Sequence, residues 1–187
     1  MKIFTTLLFG SFIVAATFSS AVFAEDQGFY AGVNLGIGKP NINTTNGLDK
    51  SSSAVGGIFL GYKINKNFGV EAQYTGIGKV TDRINGTAKA DAASLAAIGF
   101  LPLNDEFNLY GKLGIAATKT TVSTSLAPMN DAKRVGITYG LGGEYNFNKS
   151  IGMRLGWDHY NAAVDITGGN KNNANANVIS VGALYNF

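Results

Sequence analysis

Apolar residues alternate with small or polar residues along much of the chain. In residues 28–38 (GFYAGVNLGIG), every second side chain from Phe29 to Ile37 is apolar, and the residues between them are Tyr, Gly or Asn. A period of two places these two sets on opposite faces of a β-strand, because successive side chains of a strand point to opposite sides. We therefore predict a strand that lies between an apolar environment and a small or polar one.

Seven further segments show this alternation, so the pattern predicts eight strands. The other segments are residues 54–64, 68–78, 88–101, 107–118, 134–146, 151–161 and 176–187. The alternation is weak in 88–101, and it does not assign the faces of that strand. The second face is not purely polar, since Phe59, Val178 and Leu184 fall on it.

The connections between the predicted strands alternate in length. Short turns are expected at 65–67, 102–106 and 147–150, and long polar segments at 39–53, 79–87, 119–133 and 162–175. Short turns at one end and long loops at the other are typical of outer-membrane barrels, whose strands need about 9–11 residues to cross the bilayer. The pattern thus predicts an all-β fold, an eight-stranded antiparallel up-and-down transmembrane β-barrel preceded by a signal peptide.

Aromatic residues on the apolar face fall at two heights. If the first strand runs outward from the periplasm, Trp157 lies toward the long-loop end, and a larger group lies near the short-turn end. That group includes Phe29, Tyr62, Phe68, Phe107, Tyr145 and Phe147. Aromatic girdles of this kind form at the two membrane interfaces. We therefore expect the short turns in the periplasm and the long loops outside the cell.

The amino terminus has the features of a secretory signal peptide. Lys2 is followed by an apolar stretch at 7–18, and small residues precede a predicted cut between Ala24 and Glu25. We expect a cleaved leader at 1–24, with a cut after Ala21 as a variant, and a barrel domain at 25–187. A retained helical anchor is the alternative, but it requires about 20 apolar residues.

Composition excludes several kinds of site. The chain has no cysteine and one histidine, His159, so we expect no disulfide, no metal site and no cofactor. The net charge of +3 comes with no long basic run, so we expect no nucleic-acid partner. The architectural alternative is a soluble lipocalin-type barrel, which would place the charged side chains of the strands outside and the aliphatic face inside.

The last residues resemble the carboxy-terminal signal by which outer-membrane barrels are recognised for assembly. In 179–187 (ISVGALYNF) the residues that carry this resemblance are Val181, Ala183, Tyr185 and Phe187. Residues 28–32 (GFYAG) and 109–114 (LYGKLG) also resemble the OmpA-type transmembrane domain family. The resemblance covers essentially all of the chain after the leader. It implies outer-membrane localisation, outer-membrane lipid and lipopolysaccharide as surroundings, and the barrel-assembly machinery as a partner.

Members of that family carry buried charges inside the barrel on the third, fifth, sixth and seventh strands. Glu71, Lys112, Glu144 and Arg154 match by strand and by inward direction, so the resemblance implies a charge network in the lumen. The fourth predicted strand has no inward basic partner at mid-height, which departs from the family pattern. This departure weakens the case for a switch of ion pairs that would open a pore.

The predicted function is that of a non-enzymatic outer-membrane protein. We expect an envelope-structural or surface-interaction role, with extracellular loops that contact a host or cell-surface ligand. The alternative is a narrow, low-conductance pore. The third interpretation is lipid A modification, because 157–161 (WDHYN) loosely resembles the catalytic strand of the outer-membrane lipid A deacylases. The serine of that strand is missing here, and His159 faces outward beside Trp157.

Overall fold

The computed structural model of this protein describes residues 27–42, 53–82, 86–124, 127–162, 164–165 and 174–187. The leader predicted for 1–24 lies outside these residues. Within the part that is described, no helix is long and apolar enough to cross a membrane. The strands are β1 (Gly28–Ile42), β2 (Ser53–Lys63), β3 (Phe68–Asp82), β4 (Gly86–Pro102), β5 (Phe107–Thr124), β6 (Ala127–Asn146), β7 (Ile151–Ala162), β8 (Val164–Asp165) and β9 (Ala174–Asn186).

The strands form one closed antiparallel barrel. Each long strand pairs with its neighbour in the chain, and β1 pairs with β9 from Tyr30 opposite Asn186 to Ile42 opposite Ala174. The two-residue strand β8 pairs with Arg134 and Val135 of β6, just beyond the point at which the pairing of β6 with β7 ends. Eight strands therefore build the barrel, and the predicted fold is confirmed.

The two faces of the strands differ as the alternation predicts. Leu35, Leu113 and Phe68 on the outer face are 69%, 62% and 63% exposed, whereas the inward Tyr30 and Glu144 are 1% and 0% exposed. A barrel with aliphatic side chains outside and charges inside is stable in an apolar solvent, where every backbone polar group must be paired within the protein. This arrangement excludes the soluble lipocalin-type alternative.

The structure assigns the faces of β4, which the sequence pattern does not. Its inward residues Ala92, Ala96, Ile98 and Phe100 are buried, and the outward Leu95 is 58% exposed. The alternation is weak because alanine occupies both faces of this strand. The described inward residues of β4, from Ala92 to Phe100, carry no charge, in agreement with the missing basic partner.

Two of the predicted loops are wrong, because the strands continue through most of them. In place of a loop at 119–133, β5 extends to Thr124 and β6 begins at Ala127; in place of a loop at 79–87, β3 extends to Asp82 and β4 begins at Gly86. Polar residues mark where the chain leaves the apolar zone, but β-branched residues such as those in 120–124 (TTVST) favour continued pairing. Of the connections predicted at 39–53 and 162–175, residues 43–52, 163 and 166–173 lie outside the described residues.

The three short turns have one geometry. Each is four residues long, and in each an asparagine side-chain Oδ1 accepts hydrogen bonds from two backbone N–H groups farther along the turn. Asn65 accepts from Asn67 and Phe68 at 2.8 and 2.9 Å. Asn104 and Asn148 make the equivalent pairs of bonds.

Candidate functional site

Two groups of packed hydrophobic side chains occupy the lumen, one toward each end. The group at the short-turn end contains Tyr30, Phe59, Ile98, Phe100, Tyr110 and Leu184. The group toward the long-loop end contains Val55, Ala92, Ala116, Tyr160 and Val178. All of these side chains are 5% exposed or less. The first group includes aromatic rings that pack against the charged side chains of the lumen, and the second group lies farther toward the long loops.

Arg154 is the centre of the polar interior. Its guanidinium donates hydrogen bonds to Glu71 on β3 and to Glu144 on the neighbouring strand β6. The Tyr30 hydroxyl also donates to Glu71, at 2.9 Å. Aromatic rings surround the guanidinium carbon, with that of Phe59 at 4.5 Å and that of Tyr110 at 4.7 Å from it. A buried guanidinium held by two carboxylates and by ring faces has little room to move.

Lys112 forms a second cationic centre. Its Nζ lies 3.3 Å from Oε1 of Glu71 and 3.0 Å from Oδ1 of Asp158, and it donates to Oε1 of Gln73 at 2.6 Å. Glu71 therefore links Lys112 to Arg154. The structure thus brings together the four charges singled out in the sequence, and it adds Asp158, which lies on the same face of β7 as Arg154.

The charge cluster closes the lumen at mid-height. Glu71, Glu144, Arg154 and Asp158 are each 6% exposed or less. An eight-stranded barrel has an interior just wide enough for its own side chains, and here aromatic rings and ion pairs fill it. Among the described residues, Glu144 Oε2 and Asp158 Oδ1 of the cluster lack a hydrogen-bond partner, although Asp158 Oδ1 is ion-paired with Lys112.

The residues of the predicted girdle near the short turns lie on the outer surface. Phe29 packs on Tyr62 with ring centroids 4.8 Å apart, and Tyr145 packs on Phe147 at 5.2 Å. Phe68 is 63% exposed. Phe107, the last member of this group, is half-buried at the start of β5.

The predicted assembly signal forms the outer face of the last strand. Val181, Ala183 and Tyr185 alternate outward along β9, and the ring of Tyr185 lies 5.1 Å from that of Phe187. The backbone N–H of Phe187 donates to the Phe29 carbonyl at 2.9 Å. The residues that resemble the assembly signal thus also form the strand that closes the barrel.

His159 belongs to an outward aromatic cluster at the long-loop end. Its ring stacks on that of Tyr139 at 4.8 Å with an interplanar angle of 28°, and Trp157 meets Tyr139 edge to face at 5.9 Å. His159 Nδ1 donates to Asn177 Oδ1 at 2.8 Å. Tyr160, which follows His159 in the chain, faces the lumen and is 4% exposed. Among the described residues no group of three or more His, Cys, Asp or Glu side chains is placed to hold a metal ion.

A closed barrel with an apolar outer face, an ion-paired lumen and aromatic rings at both ends of the apolar band defines a small outer-membrane β-barrel protein. The family model described as outer membrane protein beta-barrel domain matches residues 10–187, and the chain belongs to this family. The protein is therefore a protein of the bacterial outer membrane.

Relatives and solved structures agree with this assignment. Outer membrane protein A of Klebsiella aerogenes is 29% identical over 175 residues, which cover 87% of this chain and 49% of the relative. The chain thus spans about half the length of the curated relatives it matches. Neisserial surface protein A has the same fold with a TM-score of 0.71 and 16% identity, over 85% of this chain and 97% of that one. Ail, the attachment invasion locus protein of Yersinia pestis, follows with a TM-score of 0.61 and 18% identity, over 88% and 100% of the two chains.

Proposed function

We propose that this protein is a non-enzymatic surface-contact protein that binds an anionic partner, of the sulfated polysaccharide type, through the outer end of the β5–β6 hairpin. The observation that carries the proposal is the length of these two strands, which have 18 and 20 residues. A strand needs about 9–11 residues to cross the bilayer. The hairpin therefore extends well beyond the apolar zone.

The outward apolar residues end long before the hairpin does. Ala117 on β5 pairs with Val135 on β6, and beyond this pair the register continues to Thr124 opposite Ala127. Residues 118–124 span about 23 Å at about 3.3 Å per residue. A paired and polar extension of this length presents a defined surface to large ligands outside the cell.

The extension carries two lysines that are opposite each other in the register, Lys119 and Lys133. Acidic residues lie beside it, since Asp91 on β4 is also opposite Lys119 and Asp165 on β8 is opposite Arg134. Two lysines at neighbouring positions of an outer hairpin offer a long anionic ligand two cations to contact, which supports a polyanion as the ligand. One structure of Ail, a fold relative, is a complex with the heparin analogue sucrose octasulfate.

Other functions receive less support. A pore is disfavoured because the charge cluster and the two groups of packed hydrophobic side chains fill the lumen. Catalysis at His159 is disfavoured because its Nδ1 is bonded to Asn177 and the adjacent hydroxyl, that of Tyr160, faces the lumen. An envelope-structural role without a ligand remains the simplest alternative, and it predicts no specific binding.

The test is binding of the folded protein to immobilised heparin at several salt concentrations. The double variant Lys119→Glu/Lys133→Glu should bind at least 10-fold more weakly, and wild-type binding should weaken as salt rises, because salt screens exposed charges. The control Lys66→Glu/Lys149→Glu has the same charge change in two short turns at the opposite end and should bind like wild type. Equal loss in both double variants, or no binding by wild type, would refute the proposal.

A further inference from the structure

The aromatic cluster around His159 forms part of a continuous row on the outer face of the barrel. The register places Lys39 on β1 opposite Asn177 on β9, Asn177 opposite His159 on β7, and His159 opposite Tyr139 on β6. Adjacent strands are about 4.8 Å apart, so the row is about 14 Å wide. Lys39 and Tyr139 are exposed, while Asn177 and His159 are half-buried.

The row lies at the outer edge of the apolar zone. The next outward row toward the short turns consists of Leu141, Trp157 and Ile179, which are opposite one another on β6, β7 and β9. Leu141 and Ile179 are 60% and 53% exposed. In the orientation with the short turns in the periplasm, polar headgroups of the outer leaflet meet the first row. Trp157, whose ring contacts Tyr139 of the first row, lies at the boundary with the lipid chains.

We propose that Lys39, Tyr139, Trp157, His159 and Asn177 form a binding site for the phosphorylated sugar headgroup of an outer-leaflet glycolipid of the lipid A type. This site goes beyond the proposed surface contact, since it lies at the membrane interface and uses none of the residues of the hairpin extension.

The chemistry of the row fits both parts of such a headgroup. Lys39 supplies a cation at one end for a phosphate, and the polar His159–Asn177 pair beside it supplies hydrogen-bonding groups. At the other end, Tyr139 and Trp157 offer aromatic surface on which the C–H face of a sugar ring can lie, and amphipathic rings favour this depth in the membrane. A phospholipid headgroup supplies a phosphate but no sugar ring for the aromatic end of the row. The exposed Leu141 and Ile179 in the row below then contact the acyl chains.

Trp157 reports on this site without a label, because it is the only tryptophan in the chain. Folded protein in phosphatidylcholine nanodiscs is titrated with diphosphoryl lipid A, and Trp157 fluorescence is measured. We expect a saturable change for lipid A and at least a 5-fold weaker response for lipid A without its phosphates. Phosphatidylglycerol, which is anionic but has no sugar, should also respond at least 5-fold more weakly.

Two variants and one control connect the signal to the row. Lys39→Gln removes the cation, and His159→Phe keeps a ring but removes its polar nitrogens; each should weaken lipid A binding at least 5-fold. Lys66→Gln removes a lysine from a short turn at the other end and should leave binding unchanged. The mobility shift on boiling confirms folding of each variant, and if His159→Phe does not fold, Lys39→Gln decides the test alone. Phosphatidylglycerol binding as tight as lipid A, or equal losses for Lys39→Gln and Lys66→Gln, would overturn the proposal.

Discussion

Arg154 holds the interior of the barrel together at the scale of single residues. It donates to Glu71 and Glu144 and is enclosed by aromatic rings. Its loss would leave both carboxylates in a closed lumen without their main partner. A buried charge without a partner is far more costly than the intact pair is favourable.

Arg154→Ala should therefore lower the free energy of unfolding by about 3–5 kcal/mol. The measurement is urea unfolding in lipid vesicles, followed by Trp157 fluorescence. Arg154→Lys keeps the charge but loses the forked geometry of the guanidinium. Its free energy of unfolding should therefore lie between those of Arg154→Ala and wild type. Asp105→Asn, in an exposed turn, should stay within about 0.5 kcal/mol of wild type. If Arg154→Ala matched that control, the cluster would not stabilise the fold.

The sequence predicts which charges face inward but not how they pair. Alternation along each strand is a local property, and it places Glu71, Lys112, Glu144 and Arg154 on the inner face. The contact between Arg154 and Glu71 joins β7 to β3 across the lumen, and it depends on the tilt and stagger of the closed barrel. Asp158 carries the same inward signal as Arg154 and is a charged residue that the predicted network omits, as is Lys63, whose Nζ lies over the rings of Tyr30 and Phe100.

At the scale of elements, one asparagine side chain in each short turn holds the backbone of that turn. Each short turn has the sequence apolar–Asn–charged, at 64–66 (INK), 103–105 (LND) and 147–149 (FNK), and in each the Asn Oδ1 accepts hydrogen bonds from two backbone N–H groups. In the third turn Asn148 accepts from Ser150 and Ile151 at 2.9 and 2.8 Å. Asparagine favours turns because its side chain can replace a missing backbone partner.

Asn148→Ala should destabilise the barrel by about 1 kcal/mol, in the range found when comparable side-chain caps are removed from helices. Asn148→Asp retains the acceptor oxygen, so its free energy of unfolding should fall much less. The difference between the two variants in urea midpoint isolates the hydrogen bonds from other effects of the substitution. Equal losses in the two variants would mean that the accepted hydrogen bonds do not explain the effect.

The long strands were the part of the architecture that the sequence predicted least well. Hydrophobic alternation depends on the membrane, so it ends where the chain enters water even if pairing continues. Residues 120–124 contain no apolar alternation but carry three threonines and a valine, which favour strands. Strand propensity and membrane exposure are separate signals, and here they end at different positions.

At the scale of the whole molecule, the orientation in the membrane is open to a direct test. The chain has no cysteine, so single cysteine variants give unique labels. With the short turns in the periplasm, Ser123→Cys in the hairpin should react with a membrane-impermeant maleimide on intact cells. Asp105→Cys should react only after the outer membrane is permeabilised. The reverse pattern would invert the orientation, and the glycolipid site would then face the wrong leaflet.

Closure of β1 against β9 has a further consequence for the chain as a whole. The backbone N–H of Phe187 donates a hydrogen bond to the carbonyl of Phe29, so the two ends of the barrel sequence lie side by side at the short-turn end. A linker of a few residues would join them, and new termini could be opened between β5 and β6 without the loss of a strand. Such a circular permutant would have a different order of strands along the chain and the same order around the barrel.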